Sequence, residues 1–267
     1  MKISLLLFLV ISACSYTNFS DNHIPDNFQI IENIKCDFTA EKCIYSPYRQ
    51  IILAKEDNKI HIFQNGEKQN TIGGFGFGQN NFSNLSDICL GFDDSFFTLD
   101  NVQKIIKKFD LNGKFIAEFS LENFSNPTKF DFSENGNFCV FDDDTKEVSI
   151  FNFMAIENSF SFGKFQLSNI TQLTISQQFI TVFDGNLNNT ICFNKMGQFI
   201  SKTDGQIEYF GYHQLRLKKY FIENLTLEKK FLVSSKIWHF FQIKNNFCVL
   251  ANQHEIVIAK IISRLEK

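Results

Sequence analysis

A recurring unit of about 42 residues constrains the fold of this chain more than any other sequence feature. Its clearest marker is an acidic turn residue between two apolar, strand-like runs. The four copies are Asp57, Asp100, Asp142 and Asp184, which stand 43, 42 and 42 positions apart. A period in the range of about 20–50 residues indicates an array of small repeated units.

A second marker recurs with the same period: a glycine-containing turn between two extended runs. It occurs at Asn65-Gly66, Asn112-Gly113 and Met196-Gly197. Glycine, and Asn to a lesser degree, supplies the positive φ values that tight hairpins need. Each repeat therefore holds roughly four short strands, which is the size of one blade of a β-propeller.

Removing a 13-residue leader leaves 267 − 13 = 254 residues, or about six blades of 42 residues. Five or seven blades remain open alternatives. Asn224 and Asn252 mark two later turns, 40 and then 28 residues on, and the short last interval needs an explanation. Either the fifth blade lacks an outer strand or the sixth borrows one, for which residues 28–34 are the candidate. The sequence therefore predicts an all-β, six-bladed propeller with about four antiparallel strands per blade, closed by an N-terminal strand.

The N-terminal residues predict a signal peptide. Lys2 precedes the apolar run of residues 5–11, which is too short to span a bilayer. The segment Ile11-Ser12-Ala13-Cys14 resembles a bacterial lipobox, in which the cysteine is acylated before cleavage. The alternative is an ordinary signal peptide cleaved near Ala13.

This interpretation divides the chain into a signal peptide (1–13), a polar tether (14–27) and the propeller (28–267). Lipid on Cys14 would attach the protein to a membrane of the bacterial cell envelope. By resemblance to enterobacterial sorting, Ser15 after the cysteine indicates the outer membrane.

One region resembles an NHL repeat. The glycine-rich stretch 73–82 is followed by Leu99-Asp100 and then by 107–115, in which a basic residue and an aromatic residue precede the glycine hairpin. The chain thereby resembles the six-bladed propeller lipoproteins of Bacteroidetes-type bacteria. The resemblance implies a propeller fold and a role in binding.

The cysteines other than Cys14 are read mainly as small buried hydrophobes, and these are Cys89, Cys139, Cys192 and Cys248. Cys36 and Cys43 are close enough in sequence for a local disulfide, and two free buried thiols are the equal alternative. No Cys-x-x-Cys pair occurs and the five His are scattered, so the sequence shows no metal-ligand spacing.

The acidic cluster Asp142-Asp143-Asp144 is the one candidate for Ca²⁺, because three carboxylates suit a hard cation. It lacks the spaced ligands of a calcium loop, so a solvated turn is favoured and no cofactor is predicted. Residues 73–78 lack the Lys-Ser/Thr of a phosphate loop, which favours a turn between blades. A net charge of −3 disfavours nucleic acid as a partner.

Two functions follow from these features. The first is a membrane-anchored, non-catalytic binding or scaffold propeller for an envelope protein or a saccharide, favoured because no catalytic constellation stands out. The second is a metal-dependent propeller enzyme, a lactonase or lyase, with the repeated Asp residues as candidate ligands in the central channel. Their regular recurrence counts against the second, because repeated residues usually build each blade.

Overall fold

The computed structural model describes residues 25–91, 93–133, 136–152, 155–162, 165–176, 178–211, 213–218, 220–232, 236–244 and 246–263. Within these ranges the chain forms 24 strands in six four-stranded antiparallel sheets and no helix. The sheets follow one another along the chain as the blades of a propeller. The predicted all-β fold, with six blades of four strands, is confirmed.

The N-terminal strand β1 (Pro25–Lys35) precedes the first complete blade. Blade 1 contains β2 (Lys42–Ser46), β3 (Ile51–Glu56), β4 (Lys59–Gln64) and β5 (Glu67–Gly73). Blade 2 contains β6 (Leu85–Leu90), β7 (Ser95–Asp100), β8 (Ile105–Asp110) and β9 (Phe115–Ser120). Blade 3 contains β10 (Pro127–Phe132), β11 (Phe138–Asp142), β12 (Glu147–Asn152) and β13 (Ala155–Ser161).

Blade 4 contains β14 (Ile170–Ile175), β15 (Phe179–Asp184), β16 (Asn189–Asn194) and β17 (Phe199–Asp204). Blade 5 contains β18 (Ile207–Phe210), β19 (His213–Leu217), β20 (Phe221–Asn224) and β21 (Lys229–Leu232). Blade 6 contains β22 (Phe240–Lys244), β23 (Phe247–Ala251) and β24 (Glu255–Ser263), and β1 is its fourth, outermost strand. The first strand of each blade is the innermost one.

The ring closes through β1, as the sequence predicts. This strand pairs antiparallel with β24 from Pro25↔Ser263 to Lys35↔Glu255. The pairing covers the edge that β24 would otherwise expose. The strand begins at Pro25, so residues 25–27, assigned from sequence to the tether, take part in the sheet.

The core lies between neighbouring blades. Strand side chains alternate between the two faces of a sheet, so each blade buries apolar residues against both of its neighbours. Phenylalanine supplies much of this packing: Phe96 and Phe109 are fully buried and stack with their ring centroids 5.3 Å apart between blades 1 and 2. Because burying apolar surface contributes about 25 cal/mol per Å², these interfaces between blades are the main source of stability.

The repeated acidic residues build the blades. Asp184 ends β15, and its carboxylate accepts hydrogen bonds from the backbone amides of Ser168 (2.6 Å) and Asn169 (3.3 Å) before β14, and of Asn186 (2.9 Å) and Leu187 (3.0 Å) in the following turn. Asp100 and Asp142 bind the corresponding Ser-Asn amides in blades 2 and 3. One carboxylate thus fixes both the start of its blade and the first turn after the second strand.

Asp57 does not belong to this set, which corrects one part of the sequence interpretation. Blade 1 ends its second strand at Glu56, and Asp57 lies in the two-residue turn that follows, with a φ of 46°. The backbone amide of Asp57 donates to Glu41 Oε1 at 3.1 Å. The turn after the second strand of blade 1 is shorter than the corresponding turns of blades 2, 3 and 4. Asp57 therefore has the same spacing in sequence as the other three Asp residues but a different position in its blade.

The short interval between Asn224 and Asn252 also has a structural reason. Blade 5 keeps four strands, but each has only four or five residues. Asn224 ends the third strand of its blade, whereas Asn252 follows the second strand of blade 6. The two turns therefore occupy different positions in their blades. Of the two explanations from sequence, the borrowed strand is correct and the missing outer strand is wrong.

Candidate functional site

The six innermost strands surround a central channel and run in the same direction along it. They begin at the mouth that carries the connections between blades and end at the mouth that carries the first hairpin of each blade. A cavity of about 1110 Å³ opens at the second mouth. We call this cavity the funnel; all six blades contribute to its wall, which includes Tyr48, Arg49, Asp93, Asp94, Asp131, Thr174, Phe179, Glu208, Tyr209, Lys244 and Asn246.

An ion pair across the channel forms part of the funnel floor. Lys244 Nζ, from blade 6, lies 3.1 Å from Asp131 Oδ1, on blade 3 at the opposite side of the ring. Lys244 also donates to the carbonyl oxygen of Phe132 at 2.8 Å, and Asp131 Oδ2 accepts from the backbone amide of Ile175 at 3.0 Å. Asp131 has 0% of its surface exposed, so this charge depends on its protein partners.

A second buried carboxyl group, Glu208, lies beside this pair in the funnel wall. Its oxygens accept hydrogen bonds from Gln172 Nε2 and, at 3.4 Å, from the backbone amide of Ile243. Burial raises the pKa of Glu208 to about 8, and the negative charge of Asp131 adds to this effect. The group is therefore mostly a neutral acid at pH 7.

The charged groups at the funnel rim are paired with one another or with neighbouring strands. Arg49 Nε lies 3.3 Å from Asp94 Oδ2. Asp93 accepts from Lys108 Nζ at 2.5 Å and also from the Ser95 hydroxyl. Together with the floor pair, these contacts leave the funnel without an unpaired charge among its described side chains.

Aromatic and hydroxyl groups make up much of the remaining wall. Tyr48 is 86% exposed at the rim, so one face of its ring is available to a ligand. The hydroxyl of Thr174 on β14 is buried and forms no hydrogen bond with any described residue. Phe179 and Ser176 add an apolar and a polar surface on the same side. This combination suits an uncharged ligand that has both apolar faces and hydroxyl groups.

The structure disperses the residues singled out from sequence. Cys14 lies outside the described residues. Cys36 is half-buried and Cys43 is buried in the core between blades 6 and 1, and a disulfide between them stays a prediction.

The acidic cluster of blade 3 is a turn whose carboxylates have protein partners. Asp142 accepts four backbone amides, Asp143 pairs with Lys146 at 2.6 Å, and Asp144 accepts from the Asn126 side chain at 3.3 Å. Within the described ranges, no three His, Cys, Asp or Glu side chains lie close enough together to hold a metal ion. The carboxylates of Asp100, Asp142 and Asp184 accept hydrogen bonds from backbone amides, so their oxygens are already used within the blades.

Sequence reasoning missed the three residues that form the floor, Asp131, Glu208 and Lys244. Each is a charged residue inside or at the end of an apolar first strand, as in Phe130-Asp131-Phe132. A charge in such a strand is costly unless it is paired, so its presence was the available signal. The motif Ser-Asn at residues 83–84, 125–126 and 168–169 was a further repeat marker, because these amides bind the repeated Asp residues.

This geometry defines a class: a closed six-bladed β-propeller with a funnel at one mouth of a plugged channel. Solved structures that share the fold include the following three. A Bacteroides fragilis protein designated an exported protein is 11% identical, with a TM-score of 0.60 over 91% of this chain and 98% of that chain. Streptogramin B lyase is 12% identical, with a TM-score of 0.55 over 82% and 78%. The WD40 domain of Neurospora crassa Pan2 is 10% identical, with a TM-score of 0.52 over 83% and 75%.

At such low identity these similarities show the fold alone. No protein-family profile and no curated protein sequence matches the chain. The resemblance to NHL repeats therefore stays a prediction, although residues 74–84 do connect blades 1 and 2 as the glycine-rich stretch predicts. Within the described part of the chain, no helix is long and apolar enough to cross a bilayer.

Proposed function

We propose that this chain is a lipid-anchored protein of the bacterial cell envelope and that its propeller is a non-catalytic binding module for an uncharged saccharide. The funnel carries this proposal. Its volume of about 1110 Å³ is large enough for several sugar rings, and its charged groups are already paired. A charged ligand would have to compete with these pairs, whereas a neutral sugar would use the aromatic and hydroxyl surfaces.

The anchor would place the funnel towards the membrane. Pro25 pairs with Ser263 at the end of β24, which runs towards the funnel mouth, so the described chain begins on the funnel side. The polar segment between Cys14 and Pro25 spans at most about 40 Å when fully extended. A saccharide at the membrane surface, such as the glycan part of a glycolipid, is therefore within reach of an anchored funnel.

The metal-dependent enzyme is the less supported alternative. It needs several unpaired ligands at one mouth, while the carboxylates at the funnel accept hydrogen bonds from lysines, amides or hydroxyl groups. Streptogramin B lyase shares the fold with this chain, and that similarity does not extend to a reaction.

Saturation-transfer NMR with a panel of neutral and acidic envelope oligosaccharides tests the binding site. We expect transfer to at least one neutral sugar and its loss in Tyr48→Ala. Tyr220→Ala is the matched control, because Tyr220 is 43% exposed but lies outside the funnel lining. Transfer that is unchanged in Tyr48→Ala, or confined to acidic sugars, would contradict the proposal.

Labelled palmitate tests the anchor separately. We expect incorporation into the wild-type chain and none into Cys14→Ala. Incorporation that persists in the variant would exclude Cys14 as the lipidated residue without affecting the funnel experiment. Affinity capture from envelope membranes in mild detergent then tests the protein-scaffold alternative, for which a reproducible protein partner is the expected result.

A further inference from the structure

The channel mouth opposite the funnel carries a cluster of charged side chains from the first three blades. Three are lysines and two are carboxylates, and they are Glu41, Lys42, Lys55, Asp87 and Lys129. Lys42 and Lys129 lie on innermost strands, near the ends where the blades begin. With all five groups ionised, the cluster has one positive charge in excess.

Two of the three ammonium groups are paired. Lys42 Nζ lies 2.7 Å from Asp87 Oδ1, and Lys55 pairs with Glu41. Asp87 is satisfied further by the backbone amide of Phe130, at 3.1 Å from Oδ2. Lys129 is different, since its ammonium group forms no hydrogen bond or ion pair with any residue that the structure describes. The excess charge of the cluster is therefore located on Lys129.

Gln242 and Lys129 lie at the same level of the channel, on opposite blades. Lys244 and Asp131 meet there at 3.1 Å, and Gln242 and Lys129 lie two residues earlier on the same two strands. Residues two apart point to the same side of a strand, about 6–7 Å apart along it. Gln242 is only 3% exposed, and its amide forms no hydrogen bond within the described ranges. Two polar side chains at one level of the channel thus have no hydrogen-bond partner among the described residues.

Both groups lack a protein partner but are not sealed from solvent, so their N–H donors are available to a ligand in the channel. Burial lowers the pKa of Lys129, the Asp87 carboxylate opposes this shift, and the positive charges of Lys42 and Lys55 lower the pKa further. A bound anion would supply acceptors to both side chains and would neutralise the excess charge.

We propose that this mouth of the channel binds the carboxylate group of a small monoanionic molecule between the Lys129 ammonium group and the Gln242 amide. A carboxylate has two oxygens, one for each donor, and its single charge matches the excess charge of the cluster. The Lys244–Asp131 pair lies beneath the site, so the ligand enters from the mouth opposite the funnel. The site is therefore separate from the proposed saccharide site.

Thermal unfolding of the full chain, with sodium acetate as the probe, tests this site. Sodium chloride and inorganic phosphate at the same ionic strength and pH 7 are the comparison salts. We expect acetate at saturating concentration to raise Tm by about 2–4 °C relative to chloride. Lys129→Met and Gln242→Glu abolish this rise, and Lys129→Arg keeps it. Lys114→Met is the matched control, since Lys114 is an exposed turn residue, and it also keeps the rise.

Three results would overturn the proposal: no rise with acetate in the wild type, an equal rise in Lys129→Met, or a rise with phosphate alone. Should Lys129→Met not fold, the ε-methylene resonance of ¹³C-labelled Lys129 is followed in the wild type during an acetate titration. The signal is assigned through Lys129→Arg, and its failure to shift excludes the site. Neither measurement depends on saccharide binding, so this proposal and the proposed function can fail independently.

Discussion

Lys244 and Asp131 are 113 positions apart in the chain and belong to opposite blades, yet their charged atoms lie 3.1 Å apart in the channel. The pair joins the two sides of the ring directly, where other contacts join neighbouring blades. It also forms part of the funnel floor, between the two mouths of the channel.

Removing one member of this pair leaves a buried charge behind. We expect Lys244→Met to lower the free energy of unfolding by about 3–5 kcal/mol, because Asp131 then keeps only its amide donor. Urea unfolding measures this. The double variant Lys244→Met/Asp131→Asn should recover a large part of the loss, and an additive double variant would contradict direct coupling. The exposed pair Lys146–Asp143 is the control, worth less than about 1 kcal/mol.

The repeated Asp residues predict a second stability effect. Asp184→Ala leaves four backbone amides without their acceptor, and we expect a loss of about 2–4 kcal/mol. Asp184→Asn, which keeps one acceptor oxygen, should lose less. Asp57→Asn is the control and should change stability by less than about 0.5 kcal/mol, because its carboxylate caps no blade.

Acid should weaken the same contacts. Burial raises the pKa of Asp184, but hydrogen bonds from the four amides lower it more, and the net pKa is below its usual value. The stabilisation is therefore present above the unfolded pKa and is lost as pH falls through the folded pKa. Unfolding of Asp184→Asn between pH 2 and pH 6 should show a weaker pH dependence than the wild type. An identical pH dependence would exclude Asp184 as a contributor.

The pH dependence of stability that Glu208 contributes should have the opposite sign to that of Asp184. Its pKa rises from 4.5 to about 8 on folding, so the folded state binds the proton more tightly. Its contribution is fully present below about pH 4.5 and is lost as pH rises through about 8. We expect Glu208→Gln to be more stable than the wild type at pH 9 by up to about 5 kcal/mol, and similar to it at pH 4.5. The exposed variant Glu67→Gln should show no such trend in urea unfolding.

The thiol of Cys36 should react slowly. Burial raises its pKa to about 11, so about one group in a thousand is ionised at pH 8. We expect alkylation of native Cys36 by iodoacetamide to be far slower than that of a peptide cysteine. Alkylation after unfolding without reductant, followed by proteolysis and mass spectrometry of the peptides that carry Cys36 and Cys43, distinguishes the two states of the pair. Both residues alkylated indicates free thiols, and neither alkylated indicates the disulfide.

The periodic part of the molecule could be predicted from sequence, and the non-periodic part could not. Asp100, Asp142 and Asp184 recur because each performs the same task in its own blade, so their spacing reports the blades. Asp57 has the same spacing but does not bind the backbone amides of its blade, because its turn has only two residues. Lys244 and Asp131 share no period, since a contact across the axis joins positions that the repeat does not relate. The same holds for Lys129 and Gln242, which lie at one level of the channel on opposite blades only because the ring closes.

The closing strand also sets an order on folding. Strand β1 is synthesised before its partner β24, which ends at Ser263, so the sixth sheet cannot be completed until β24 has been synthesised. Contacts between such distant positions form slowly, and an unpaired strand in the interval invites association with other chains. Truncated chains cannot complete the sixth sheet. Ring closure thus acts as a check on synthesis, because only a chain that includes β24 buries β1.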